Sequence, residues 1–378
     1  MKKRILVFDD VIDGHHLEYL HHLYEIAQEM PEYDFIFSVP NNFLKVKDKY
    51  EWRMCSHVQW DFINNENVSN KDENLLLHSF RICKILREKS AKNRVNKVFI
   101  VSLMGYLPLL PLFFLFSKIK VSGIIYLVYL FRWKQSAMIT RVFDVMKFCI
   151  LSKCCIFDSV FILNSKAAAR YLNSKYFTNN FKYLPDPYEN SFFNSVTILP
   201  QSKKTILHFG SLTDRKGTFE LLQSIRLLSS EERNQYRFVF AGRVNTDIKE
   251  EFYRLFESLQ NQYDISLYDR FCSFEEINQM CAKSDYIAIP YKSTAQSSGV
   301  IGYSAQYRKP LIAPSSGLVG KIVNTYKLGV LIDEITPESI HYALTKQLPT
   351  FDSAYMKSEL YLIDNSLNAF KLVIVSNF

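Results

Sequence analysis

Two stretches of the chain concentrate residue types that do chemistry. The first, DDVIDGHHLEYLHH at positions 9–22, holds four histidines and four acids in fourteen positions. Imidazoles among carboxylates suit a metal site, a catalytic loop or simply a polar helix face. Leu17, Leu20, Leu23, Tyr24 and Ala27 recur at three- and four-residue steps, which predicts a helix with one buried side. At about 100° per residue, His15, Glu18 and His22 share the opposite stripe, whereas His16 and His21 diverge from it. A zinc-dependent hydrolase would use that stripe. It lacks, however, the His-Glu-x-x-His order that sets two imidazoles one turn apart. The plainer expectation is a solvated face, with His22 toward water.

The second stretch is ILHFGSLTDRKGTFELLQSI, residues 206–225. It reads as a buried strand, a glycine turn, a basic pair and an amphipathic helix. Gly210 lets the backbone pass close to a ligand, and Arg215 and Lys216 precede a helix start able to host phosphate. Further on, Ser297, Ser298, Gly299 and Val300 open another helix, and SSGLVG forms the next loop. Backbone N–H groups and hydroxyls would then line one edge of a parallel sheet beside Lys216. That edge suits a diphosphate.

The elements that must position these residues alternate in type. Ile5–Phe8 is a short apolar strand ending at Asp9 and Asp10, and a loop with Asp13 and Gly14 leads into the histidine-rich helix. Strands are expected near 4–9, 34–39, 97–102, 122–130 and 159–163, with helices at 15–30, 74–90, 107–118, 137–153 and 165–173. Asn164 or Ser165 caps the last of these. FKYLPDPYENSFFNSVTILPQSKK has three prolines and the profile of a connector. The pattern restarts at KTILHFG, with strands at 205–209, 237–241, 265–268, 286–289, 310–313 and 329–331. Ser273 and Glu276 have the spacing of a capping box. The fold class is therefore α/β, with two doubly wound, Rossmann-like domains at 1–187 and 204–355. Residues 188–203 connect them, and a helix within 356–378 packs back toward the first.

Composition narrows the classes. Seven cysteines form no C-x-x-C pair in 378 residues, as in a reducing, cytoplasmic setting. MKKRILVFDD is a first strand rather than a signal peptide, because its apolar part stops after four residues. VFIVSLMGYLPLLPLFFLF, residues 98–116, has the length of a membrane span. Gly105, Pro108 and Pro111 instead divide it into strand, turn and short helix. The net charge of +8 is concentrated between Arg81 and Lys97, where seven basic residues accompany one acid. With Ile82, Ile85 and Leu86 they make a basic amphipathic helix, suited either to an anionic membrane surface or to water. No nucleic-acid module is present, and nucleic acid is not an expected partner.

Residues 205–333 resemble the donor-binding lobe of GT-B glycosyltransferases, especially the large family-4-type retaining group of bacteria. The stretches that carry the resemblance are GSLTDRKG, FVFAGR, FEEINQMCAKSDYIAIPY, SSGVIGYSAQYRKPLIA and GLVGKIV with YKLGVLID, in the family's order. GHHLEY and YLPDPY are similar to its first-helix start and its pre-linker segment. The resemblance implies two lobes closing over a nucleotide-diphosphate sugar, with Lys216 and Arg215 neutralising the leaving diphosphate. It also implies donor contacts from Gly210, Ser211, Gly242, Arg243, Ser297, Ser298, Gly299, Val300 and Tyr303. His15 would help place the acceptor, with Gly14, His16 and Arg132 on the acceptor side. No metal or cofactor is expected, since GT-B enzymes need no Asp-x-Asp motif.

Three positions depart from the family. Ser211 stands where an arginine is usual, and the family's two glutamates, eight residues apart, fall near Ala295 and Tyr303, neither of them acidic. LVYLFRW replaces the histidine at the end of an N-lobe strand. The expected function is sugar transfer to a glycan or lipid-linked acceptor in bacterial surface-polysaccharide synthesis, in the cytoplasm or on the inner face of the membrane. The alternative is a catalytically degenerate GT-B protein that binds a nucleotide, glycan or protein partner.

Overall fold

Continuous apolar runs such as ILVF and KVFI become strands buried along their length, as happens when helices cover both faces of a parallel sheet. The computed structural model describes residues 2–12, 15–65, 68, 74–133, 136–188 and 202–378. The chain divides into two units, Met1–Pro185 with Leu367–Phe378, and Asp186–Ser366.

Chain order in the first unit is β1 (Lys3–Phe8), α1 (His15–Gln28), β2 (Tyr33–Pro40), β3 (Val58–Ile63), α2 (Leu75–Lys92), β4 (Lys97–Ile100), α3 (Leu110–Phe114), β5 (Lys120–Ile125), α4 (Met138–Lys153), β6 (Phe157–Leu163), α5 (Lys166–Tyr176) and β7 (Phe181–Leu184). Its seven strands are parallel in the order β3-β2-β1-β4-β5-β6-β7. The chain steps outward from β1 to β3, then returns to β4 and runs the other way. The direction therefore reverses at β1/β4, the kind of switch point where open α/β sheets bind ligands. Asp9 and Asp10 follow β1 directly.

The second unit contains β8 (Lys204–Phe209), α6 (Thr218–Arg226), α7 (Ser230–Arg233), β9 (Tyr236–Ala241), α8 (Lys249–Gln260), β10 (Ile265–Tyr268), α9 (Phe274–Lys283), β11 (Tyr286–Ala288), α10 (Val300–Tyr307), β12 (Leu311–Pro314), α11 (Gly317–Tyr326), β13 (Gly329–Ile332), α12 (Pro337–Tyr342) and α13 (Ser358–Asp364). Its six parallel strands are ordered β10-β9-β8-β11-β12-β13, which puts the reversal at β8/β11. Gly210 and Lys216 follow β8, and Ser297 to Val300 follow β11. Ser273 and Glu276 form the expected capping box on α9, and Ser165 rather than Asn164 caps α5.

The chain then re-enters the first unit as α14 (Leu367–Val375). Phe370 and Ile374 of α14 join Leu20, Tyr19 and Phe161 in one buried cluster. This arrangement corrects the expectation for His22. Its side chain is mostly buried, 5.8 Å ring to ring from Phe370, with Glu18 at 3.8 Å and Glu25 at 3.9 Å. Burial disfavours the charged imidazole, but the two carboxylates outweigh it and raise its pKa above the ordinary 6.5. Such a group stabilises the fold fully below pH 6.5, and the contribution fades as pH rises through the folded-state value. The fall in Tm between pH 6 and pH 8.5 is expected to shrink in His22→Gln, read by thermal unfolding across the range.

Other boundaries also differ from the sequence reading. β3 and β7 were not anticipated, and β7 occupies the first four residues of the stretch read as a connector. β5 stops at Ile125, followed by a 3-10 turn at Tyr129–Phe131. The apolar run 98–116 divides into β4, a 3-10 turn at Leu103–Tyr106 and the five-residue α3. No helix among the described residues is long and apolar enough to cross a membrane.

Candidate functional site

The C-terminal edge of the second sheet is built from three loops tied to one another. After β8 the backbone turns at Gly210 with φ +97°, and a side chain there would overlap the Lys216 ammonium. A 3-10 turn, Asp214–Lys216, follows and ends at Gly217, whose φ of +68° starts α6. A side chain on Gly217 would strike the Pro290 carbonyl oxygen. The loop after β9 packs from one side. Leu212 N–H donates to the Arg243 carbonyl at 3.0 Å, and Gly242 sits against the Gly210 carbonyl so closely that no Cβ fits. The loop after β11 packs from the other side, where Lys292 N–H donates to the Arg215 carbonyl at 2.9 Å.

Side chains reinforce these backbone ties. The Lys292 ammonium bridges Asp214 at 2.5 Å and Glu220 at 2.7 Å, which pins the turn that carries Lys216. Below it, buried His208 donates Nδ1–H to the Ala288 carbonyl at 2.8 Å. The Thr218 hydroxyl lies 3.0 Å from both His208 Nε2 and the Thr213 carbonyl. Burial, with Lys216 nearby, holds His208 down to about 4, so the imidazole is neutral at pH 7.

Lys216 is the electrostatic focus of this edge. Its ammonium rests over Gly210 and lies 5.6 Å from the centre of the Tyr291 ring, with the Phe209 carbonyl at 3.5 Å. Burial and the adjacent Arg215 guanidinium push its pKa down to about 8. Among the described residues Lys216 has no anionic partner, and a largely buried cation so placed is held at a desolvation cost that a bound anion would offset. Tyr291, itself buried, places its hydroxyl 3.2 Å from Ser298 Oγ, and Ser298 Oγ accepts the Val300 N–H at 3.4 Å where α10 begins. Tyr303 meets Phe209 edge to face at 5.4 Å.

Lys216, Gly210, Gly242, Ser298, Gly299, Val300 and Tyr303 therefore share one edge, with Ser297 in the same loop. Arg215 lies beside them, its guanidinium 6.0 Å from the Tyr291 ring. Ser211 and Arg243 are exposed, and of Arg243 only the backbone carbonyl takes part in the loop ties named here. Sequence reasoning missed Tyr291 and Lys292. Their signal was the PYK that follows β11, a tyrosine and a lysine placed at a switch point.

The corresponding edge of the first unit pairs carboxylates with imidazoles. Asp9 is buried and receives His16 Nδ1–H at 2.9 Å and Val11 N–H at 3.1 Å. Burial pushes Asp9 up to about 6, against the opposing pull of His16. Asp10 receives His78 Nε2–H at 3.1 Å and the Tyr106 hydroxyl. The His16 ring packs 5.9 Å from Tyr126, just after β5. His16 is thus oriented by a carboxylate, while Gly14 and the side chain of His15 lie outside the described residues. Arg132 is taken up by buried Asp144, at 2.7 and 2.8 Å.

The zinc stripe of His15, Glu18 and His22 includes the side chain of His15, which lies outside the described residues. A different trio, His21, His22 and Glu25, brings ligand-type atoms within 4.8 Å of one another. There His21 Nε2–H donates to the Glu51 carbonyl at 3.1 Å, and Lys371 of α14 approaches Glu25 at 3.9 Å and Glu29 at 2.8 Å. Lys371 thus places a cation beside Glu25, and the trio takes part in an ion-pair network under α14.

Comparison with known proteins bears on both units. Residues 191–349 match the family model for glycosyl transferases group 1. No curated protein sequence matches the chain. Among solved structures, the chain is similar to a glycosyltransferase from Rickettsia africae ESF-5, with a TM-score of 0.68 at 15% identity over 99% of this chain and 97% of that one. WaaG, a glycosyltransferase involved in lipopolysaccharide biosynthesis, gives 0.68 at 12% identity over 98% and 99%. Anabaena Alr3699/HepE in complex with UDP-glucose gives 0.63 at 13% identity over 99% and 98%. The chain thus has the GT-B fold of these glycosyltransferases, and its residues 191–349 match the model for glycosyl transferases group 1.

Proposed function

We propose that the protein transfers a sugar from a nucleotide-diphosphate sugar to a glycan or lipid-linked acceptor, with retention and without a metal. Its place would be in bacterial surface-polysaccharide synthesis at the inner face of the cell membrane. The observation that carries this reading is the Lys216 ammonium, held over Gly210 beside the start of α10. As the bond from the anomeric carbon to the diphosphate breaks, negative charge grows on the leaving oxygens. A fixed ammonium, Arg215 and the positive end of the α10 dipole meet that charge without reorganising. His16, oriented by Asp9, is suited to hydrogen-bond a sugar hydroxyl of the acceptor. Retention follows the family-4-type resemblance. A UDP-sugar is the first donor to test, since the HepE structure named above holds UDP-glucose.

A second reading has its own observation. Ala295 and Tyr303 occupy the positions of the family's paired glutamates, and Ala295 is buried. A binding protein without turnover would show that loss. A panel of UDP-, GDP-, ADP- and dTDP-sugars separates the two. Slow hydrolysis of one donor in the absence of acceptor is the expected result. A rise in Tm with a donor but no turnover of any would establish the binding protein instead.

A further inference from the structure

We propose that Lys292 keeps Lys216 open to a nucleoside diphosphate by neutralising two carboxylates that would otherwise occupy it. Lys292 stands in the loop after β11, and its ammonium meets Asp214 at 2.5 Å and Glu220 at 2.7 Å. These acids flank Lys216 in the chain, Asp214 in the same 3-10 turn and Glu220 in the first turn of α6. This role presumes the donor reading of the edge proposed above, and it is a positioning role, exerted through Lys216.

The titratable groups around Lys216 come from five elements. Its own turn supplies Asp214 and Arg215, α6 supplies Glu220, and the loop after β11 supplies Tyr291 and Lys292. His208, from β8, is neutral at pH 7, and Arg243, after β9, is exposed. α10 contributes Tyr303, which lies against Phe209. Arg215 and Lys216 both face the Tyr291 ring, at 6.0 and 5.6 Å from its centre. Arg215, Lys216 and Lys292 therefore share this corner with two acids, for a net charge of +1. Without Lys292 the corner is neutral, and the cations left in it for Asp214 and Glu220 are Arg215 and Lys216. An ion pair formed inside a site competes directly with an incoming anion.

Glu220 shows why a cation is needed here. Its side chain is 16% exposed, and its Oε2 is buried with no hydrogen-bond partner among the described residues. A carboxylate so placed is compensated by Lys292 or draws on the next cation within reach. Burial by itself would lower the pKa of Lys292, but Asp214 and Glu220 outweigh it and raise the value above the ordinary 10.5. Lys292 thus stays charged, while Lys216, without such partners, sits near 8. Mechanical support is already present in the backbone. Lys292 N–H donates to the Arg215 carbonyl at 2.9 Å, a bond that Lys292→Met leaves in place.

Two variants break the same ion pairs with opposite consequences. Lys292→Met leaves the acids to Lys216, whereas Asp214→Asn/Glu220→Gln leaves Lys292 to repel it. Titration of Lys216 in the ligand-free full chain is read by competitive acetylation between about pH 6 and 11, followed by mass spectrometry. The midpoint is expected to rise by about one unit in Lys292→Met and to fall in the double variant. Affinity for UDP and for inorganic pyrophosphate at pH 7, measured by calorimetry, should drop about tenfold in Lys292→Met and should not drop in the double variant. Lys292→Arg, whose guanidinium can bridge both acids, should keep both readings. Lys292→Gln replaces the methionine variant if that one does not fold. Weaker binding in both variants with the Lys216 midpoint unmoved overturns the proposal and leaves Lys292 a brace. Failure of the unaltered chain to bind UDP or pyrophosphate overturns the donor reading instead, and the midpoints still decide whether Lys292 governs Lys216.

Discussion

Lys216→Ala is expected to lower turnover of the preferred donor by about 10²–10³, the range lost when one preorganised electrostatic donor is removed. Steady-state kinetics should show the loss in both kcat and kcat/KM, because an ammonium that meets growing charge acts most strongly in the transition state. Lys216→Arg should recover little. The ammonium lies in space left by the missing side chain of Gly210, and a planar guanidinium does not fit that outline. The pKa of about 8 adds a second readout. Protonated lysine is the form that holds the diphosphate, so kcat/KM should be level below about pH 8 and fall above it. An arriving anion raises the lysine pKa. At pH 8, donor binding should therefore take up about half a proton, measured by calorimetry in buffers of different ionisation enthalpy. A donor-dependent uptake that persists in Lys216→Ala would place the titrating group elsewhere.

Gly242→Val is expected to be strongly damaging to the second unit. Its φ is +136°, a region L side chains rarely adopt, and its Cβ would overlap the carbonyl oxygen of Gly210. Backbone strain and overpacking each cost about 1–3 kcal/mol, so a combined loss of about 3–5 kcal/mol is reasonable. In a unit of this size that lowers Tm by about 10 °C or more. Because the contact is with Gly210, the Lys216 turn should shift as well, and donor affinity should fall in whatever protein remains folded. Gly105→Ala is the control. Nothing lies within 4 Å of the added carbon there, and both Tm and donor binding should hold.

Much of the second unit was legible because each of its inner strands is buried on both faces. Such strands appear as unbroken apolar runs, and the loops after them carry the glycines and serines. β3 and β7 were hidden for the opposite reason. Both are edge strands, and VQWDFI and FKYL mix polar and apolar residues without a clean period. β5 was read too long because Val128 and Tyr129 are as buried as a strand while sitting at a 3-10 turn. Apolar content reports burial, not backbone shape.

The site divides along the same line. Lys216 and the start of α10 lie within short motifs and were found. Lys292 was missed because its partners, Asp214 and Glu220, come from a segment some seventy residues earlier. His22 was misplaced because a helical wheel knows only its own helix, and the cover over that face arrives from α14.

That last helix also constrains how the protein is made. During synthesis the first sheet leaves the ribosome long before Phe370 and Ile374, yet both are fully buried against it. Until they arrive, α1 keeps an open flank around Tyr19 and His22. The N-terminal half therefore cannot complete its core until α14 is made, and a chaperone that shields exposed apolar surface would find the flank of α1 open until then.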